Sequence, residues 1–479
     1  MANIITWPAP AGETASPDWT VEADGVPLFL YQARVRAEIL QNEGLWTHRP
    51  DCQGERAAFA IFDLARKVSV SIRPTRPFRT AQVLPARFGI VPEIAGGTIR
   101  FSLDTAQHLT ILLDGDDRQA LHLFIGRPET DVPRPDDPNV VYFGPGVHEI
   151  DTIELRSGQT LYLAGGAVVK ARLRPGEQGT FSDKWKVTFF SGVVFDVRKV
   201  SGVRICGRGI LDGSLVPHPG RNLIAVNESS DVRLEGITLR DSPNWNVLIR
   251  KSHGVRVDGL RLVSGRLNSD GINSVNSRDV RIRNCFVRNH DDSIVAKTTE
   301  PDLPTEDITV EDCQLWSDWG YSLGATYETR AAIRRLLFRC CDVLYARHWC
   351  LGIHVSDSAT VEDVIFRDIG IADLSAASPP DSARAALTPE PKLLRLVITQ
   401  DCWGHDPERG RIRNVTLDGV TVQGRSLPPS EMIGLDAEHD IRGVTFRNVR
   451  LAAQAPVADA VALRLQANEH VRDLHFVNG

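Results

Sequence analysis

From residue 203 to the C-terminus the chain repeats one eight-residue phrase, and that repeat limits what it can fold into. The phrase is apolar–x–apolar–x–[Asn/Asp/Gly]–apolar–x–apolar. It reads Val232-Arg-Leu-Glu-Gly-Ile-Thr-Leu239, Val255-Arg-Val-Asp-Gly-Leu-Arg-Leu262, Val280-Arg-Ile-Arg-Asn-Cys-Phe-Val287 and Ile308-Thr-Val-Glu-Asp-Cys-Gln-Leu315. It returns from Leu336, Val364, Val415 and Val444, and a truncated copy begins at Leu474. From Val203 onward the start-to-start intervals are 29, 23, 25, 28, 28, 28, 51, 29 and 30 residues. The alternation is that of short strands, and the 3.6-residue period of a helical repeat is missing. Such a unit suits one coil of a right-handed parallel β-helix, with equivalent residues on successive coils about 4.8 Å apart. Cys285, Cys313 and Cys341 share one repeat position and are expected to form an inward ladder of free thiols. The 51-residue interval holds a polar loop, Ser375 to Glu390, and an extra strand-like segment, Leu393 to Ile398.

The first 126 residues differ. Short alternating segments such as Val68-Ser-Val-Ser-Ile72 and Leu121-His-Leu-Phe-Ile125 are bounded by Gly, Pro or Asp, which suggests a β-sandwich. A proline- and acid-rich stretch, 127–140, reads as a linker. The expected architecture is all-β: a sandwich over 1–126, then a β-helix over 141–479. The sandwich is expected to cover the N-terminal end of the β-helix, where open strand edges would otherwise aggregate. It could also supply one wall of a cleft. With 55 basic against 61 acidic residues the net charge is −6, which argues against nucleic acid and anionic membranes as partners. No apolar run approaches membrane-spanning length. The N-terminus lacks the basic and apolar regions of a secretory signal, and the eight cysteines form no metal-like CxxC pair. A cytoplasmic protein is therefore expected. No feature of the sequence speaks to oligomeric state.

Stacked coils turn sequence register into columns. Aligning Asp270-Gly-Ile with Asp292-Ser-Ile places Asp270 beside Asp292, 22 residues or one coil apart, with Asp291 next to the pair. Three carboxyls so close raise at least one pKa, leaving a protonated acid beside ionised bases near neutrality. Glycoside hydrolysis needs that pairing: one acid protonates the leaving oxygen while a base activates water on the opposite face. Two other readings stand beside it. Carboxylates also gather around hard cations. Asn-x-Asp-Gly and His-Asp-Asp are also ordinary turn sequences. The registered acids favour catalysis without a metal or other cofactor.

Asn268-Ser-Asp270-Gly and Asp291-Asp292-Ser-Ile-Val-Ala-Lys297 resemble the NTDG and DDCIAIK signatures of the polygalacturonases, glycoside hydrolase family 28. Ser242-Pro-Asn-Trp245 also resembles that family. His290-Asp291-Asp292 followed by Trp319-Gly-Tyr321 is similar to the dextranase and isopullulanase family, glycoside hydrolase family 49, which likewise places a sandwich before its β-helix. The resemblance covers roughly residues 140 to 370. It implies an inverting hydrolase with Asp291 as general acid and Asp270 and Asp292 activating water. Two departures matter. The family 28 Gly-His-Gly segment is replaced by Asp318-Trp-Gly-Tyr321, and its uronate-binding Arg-Ile-Lys by Gly352-Ile-His354. Loss of that clamp favours a neutral glycan over a galacturonide, unless Arg347 or Arg330 supplies the charge.

Substrate contacts are expected from Trp319 and Tyr321, with Lys297, Asn268, Trp245, Arg347 and His348 around them. Trp316, Tyr327 and Trp349 are further candidates for stacking on sugar rings, although large aromatics also brace loops. His290 reads as a turn residue, and His354 as core or ligand. Two other functions remain open: a polysaccharide lyase or epimerase, which lacks an obvious basic residue here, and a non-catalytic carbohydrate binder. The expected partner is an oligo- or polysaccharide.

Overall fold

The computed structural model describes residues 3–36, 40–42, 45–47, 55–374 and 390–477. The expected polar loop falls almost wholly outside these residues, as does Asn478. Beyond Val140 three parallel sheets of 12, 11 and 11 strands run the length of a β-helix, here called sheets I, II and III. One coil shows the pattern: Arg278–Arg283 lies in sheet I, Phe286–Asn289 in sheet II and Ile294–Thr298 in sheet III. Val280 and Ile282 face inward and are buried, while Arg281 and Arg283 point to solvent.

The repeated phrase spans sheet I, a corner and sheet II. Its first residue pairs with its own equivalent on each next coil: Val255 with Val280, then Ile308, Leu336, Val364, Val415, Val444 and Leu474. The 51-residue interval is therefore one coil with an insertion, and Lys392–Ile398 is its sheet III strand. The fifth position is the corner. Gly236, Gly259, Asn284, Asp312, Asp368, Gly419 and Asn448 all have positive φ there, between 53° and 74°. Left-handed backbone selects Gly, Asn and Asp, which explains the one polar letter in an otherwise apolar phrase. Cys285, Cys313 and Cys341 follow the corners at Asn284, Asp312 and Cys340 as buried free thiols. Phe338 and Phe366 stack at 5.0 Å inside the same cylinder.

The N-terminal region forms a six-stranded and a five-stranded sheet enclosing a separate core that includes Val21, Phe62, Ile72 and Leu123. Its position corrects one expectation. The six-stranded sheet lies along the flank of the β-helix, against the outer face of sheet II, rather than over the end of the cylinder. Tyr31, Val35, Phe59 and Phe124 pack on Val263, Phe286, Trp316 and Tyr345. The physical reason is an apolar stripe on the outside of sheet II, which the six-stranded sheet buries. Buried polar contacts fix the docking: Arg208 Nε donates to Asp63 (2.9 Å), and Arg288 bonds His122 (3.0 Å) while lying 4.1 Å over the Trp316 ring.

Candidate active site

The acids stand where the chain turns from sheet II into sheet III. The register places Ile272 beside Ile294, so Asp270 lies one row from Asp292. Gly271 N donates to Asp292 O (2.8 Å), which ties the two turns together. Each turn is held from behind by a polar side chain. Asn246 Nδ2 donates to Asp270 O (2.9 Å), Asn289 Nδ2 to the carbonyls of Asp291 and Asp292 (2.7 and 2.9 Å), and Ser317 Oγ to Asp291 O (3.1 Å). Gly320 permits the next coil to close on the pair, since a Cβ there would stand 2.4 Å from Asp292 N.

Asp292 is buried and held on both oxygens. Oδ1 accepts from Tyr321 N (2.9 Å), and Oδ2 from Thr326 Oγ1 (2.7 Å) and Lys297 Nζ (3.3 Å). Asp270 is also buried. It accepts from Asn273 Nδ2 (2.9 Å), and its Oδ1 has no hydrogen-bond partner among the described residues. Burial, then the charges of Asp291 and Asp292, push its pKa well up against the pull of Lys297. Asp291 is raised to about 7 by burial and by Asp292, with Lys297 pulling it down. The arrangement therefore keeps a proton on a carboxyl near neutrality. Lys297 is only 3% exposed. Burial works against its charge, but Glu328, Asp292 and Asp270 outweigh that and hold it protonated. Its ammonium also bonds Glu328 (2.9 Å) and lies 5.6 Å from the Trp245 ring and 5.4 Å from that of Tyr327.

Asp270, Asp291, Asp292, Lys297 and Trp245 thus come together. The other expected contacts fare differently. Tyr321 supplies its backbone N–H to Asp292, but its ring is fully buried, stacked 4.5 Å from Trp349 and lying over Gly352, so it offers no free face to a sugar. Trp316 is buried in the sandwich interface. Trp319 is half-buried between His290 (6.0 Å) and His348 (4.4 Å). Asn268 joins a ladder with Asn244 and Asn222 that braces the wall (2.7 and 3.0 Å). His348 is buried, and burial and Arg347 lower its pKa to about 4. Arg347 is half-buried on the same turn, two coils beyond Asp291. Arg330 is committed to Asp406 (2.9 Å).

Sequence reasoning missed Thr326, Glu328 and Arg395. Thr326 and Glu328 follow the Trp-Gly-Tyr segment on one strand, Tyr321–Thr329, whose outward positions could have been counted. Arg395 was hidden by the insertion before it. It pairs in register with Gly352 and donates to Tyr321 Oη (2.6 Å), bonds His354 (3.2 Å) and pairs with Glu431 (2.9 Å). His354 bonds Asp401 (2.8 Å), so it is a polar bridge on the outer face rather than core.

Comparison with known proteins bears on this cluster of carboxyls. Residues 150–375 match the model of glycosyl hydrolases family 28. That segment carries all three aspartates and ends short of Arg395. The chain is 27% identical over 149 residues to a probable polygalacturonase of Vitis vinifera, covering 31% of this chain and 26% of that one. It is 28% identical over 104 residues to a polygalacturonase of Chamaecyparis obtusa, covering 21% and 19%. The chain thus spans about a quarter or less of the length of these two relatives. Among solved structures it is similar to Dex49A from Penicillium minioluteum, with TM-score 0.57, 13% identity and coverage of 100% and 99%. It is also similar to a hyperthermoactive exopolygalacturonase from Thermotoga maritima, with TM-score 0.50, 15% identity and coverage of 70% and 83%. At these identities the structural likenesses speak to the fold alone, and the first of them extends over the whole chain.

Proposed function

We propose that the protein is an inverting glycoside hydrolase of the family 28 type. Asp291 gives its proton to the leaving glycosidic oxygen as the bond to the anomeric carbon breaks. Asp270 and Asp292 orient a water, whose oxygen bonds to that carbon while its proton passes to Asp292, the carboxylate held by three donors. The observation that carries this reading is the unequal treatment of neighbouring carboxyls. Asp292 is tied down by three donors, whereas burial and Asp292 itself push Asp291 up to about 7. Lys297 offsets part of the negative charge in the trough, so the acids can be crowded together.

The family match and the named relatives support a galacturonide substrate over a neutral glycan, reversing the order suggested by the missing Arg-Ile-Lys segment. One observation keeps the neutral reading alive: Lys297 and Arg395, two cations on the outer face of sheet III, already pair with Glu328 and Glu431. The test is reducing-sugar release from polygalacturonate and from dextran by the wild type and by Asp291→Asn. Hydrolysis of polygalacturonate that is lost in the variant supports the reading. Full activity of a folded Asp291→Asn variant rejects it. An unsaturated, ultraviolet-absorbing product would point instead to a lyase.

A further inference from the structure

A two-stranded hairpin interrupts the β-helix early, where sheet II passes into sheet III. Its strands are Thr180–Ser182 and Val187–Phe189, inserted just before the sheet III strand Val193–Arg198. Its base is pinned where Phe190 N donates to Pro219 O (3.1 Å). Its tip is seated far away. Trp185 stacks on Trp403 at 5.3 Å and 19°, and Lys184 Nζ lies 3.5 Å from Cys402 O. Trp403 belongs to the turn that follows the much later sheet III strand Lys392–Ile398, on the opposite rim of that sheet. Trp403 in turn stands 6.4 Å from Tyr327, whose ring lies 5.4 Å from Lys297, the partner of Asp292.

From the row of Val193–Arg198 to the row of Tyr321–Thr329 is five strand spacings, roughly 24 Å. The rows crossed include those of Asp270 and Asp292. Both ends of the hairpin lie on the outside of sheet III, so its path runs across the outer face of that sheet, from the rim that carries the acids to the opposite one. It does so as an arch. Most of its side chains are exposed, Phe181 at 57%, as expected if little packs beneath it. An isolated two-stranded hairpin is marginal in water, so its seated position rests on the Trp185–Trp403 stack.

We infer that this arch roofs the trough and makes the enzyme act on chain ends. A polymer cannot be laid sideways into a roofed trough; it must be threaded by its terminus. This rests on the hydrolase reading above and specifies its mode of attack. Trp185 and Trp403 are specificity-determining residues, not catalytic ones.

The test follows product size during digestion of polygalacturonate, dextran and their defined oligomers. The wild type releases one short product from the outset, with little early loss of viscosity. Trp185→Ala and Trp403→Ala, each checked for folding by circular dichroism, release mixed lengths and lower the viscosity several-fold faster at equal bond cleavage. They still cleave trimers and tetramers at rates within about twofold of the wild type. Trypsin cuts the full-length variants faster than the wild type after Lys184 and Lys186, a readout independent of catalysis. An early ladder of intermediate lengths from the wild type, or unchanged products in both folded variants, overturns the inference while leaving hydrolysis intact. No hydrolysis of any of these glycans defeats the underlying reading and the inference with it.

Discussion

At the scale of single residues, the site trades stability for a proton. The Asp291 carboxyl ionises near its ordinary value in the unfolded chain but at about 7 in the fold. Between those values the folded state holds a proton the unfolded state has lost, so its contribution to stability falls as pH rises through that window. Asp291→Asn should therefore melt at higher temperature than the wild type at pH 8, and the gap should narrow toward pH 4. Paired thermal melts check this. The same variant should lose about 10²–10⁴-fold in kcat, as expected for removal of a general acid. Wild-type activity should decline as pH rises through about 7, because the acid must carry its proton to act. Lys297→Met should unfold far more readily, by about 3–5 kcal/mol in denaturant titration, since Asp292 and Glu328 would lose their buried counter-charge. The column of Asp270 and Asp292 was legible in the sequence because coil register is simple arithmetic. The burial of Lys297 was not, because Trp245 reaches it from one other coil and Tyr327 and Glu328 from another.

At the scale of elements, the corner between sheets I and II explains most of what the sequence revealed. A position that must be left-handed takes Gly, Asn or Asp, and its recurrence marks each coil. Cys340 is the exception, with φ 53° at the same corner. A left-handed L-residue without a suited side chain costs about 1–2 kcal/mol. Cys340→Gly should therefore stabilise the protein by about 1 kcal/mol, read as a higher denaturant midpoint at unchanged slope. An unchanged or lower midpoint would contradict the strain argument. The hairpin that carries Trp185 was not legible. It lies before the first clear phrase, and its short strands pair only with each other. Arg395 escaped because the insertion ahead of it breaks the spacing by which columns are counted.

At the scale of the whole molecule, the sandwich and the β-helix share an apolar seam rather than an end-on cap. The strands of the sandwich could be read from their alternation. Their docking could not, because it depends on which outward residues of sheet II happen to be large and apolar. Deleting residues 1–126 should expose Val263, Phe286, Trp316 and Tyr345, which are buried in that seam. The truncated chain should aggregate on size exclusion; a monodisperse, folded β-helix would show that the seam is dispensable. The seam leaves sheet III free, so the trough of acids faces outward beneath its arch. What the acids do to a glycosidic bond decides the function. Proton NMR of the first product from an α-linked polygalacturonate chain measures this directly. Acid and base on opposite faces of the sugar predict that the newly formed end appears first as the β-anomer and mutarotates only later. An α-anomer as first product, or no new reducing end at all, would contradict it.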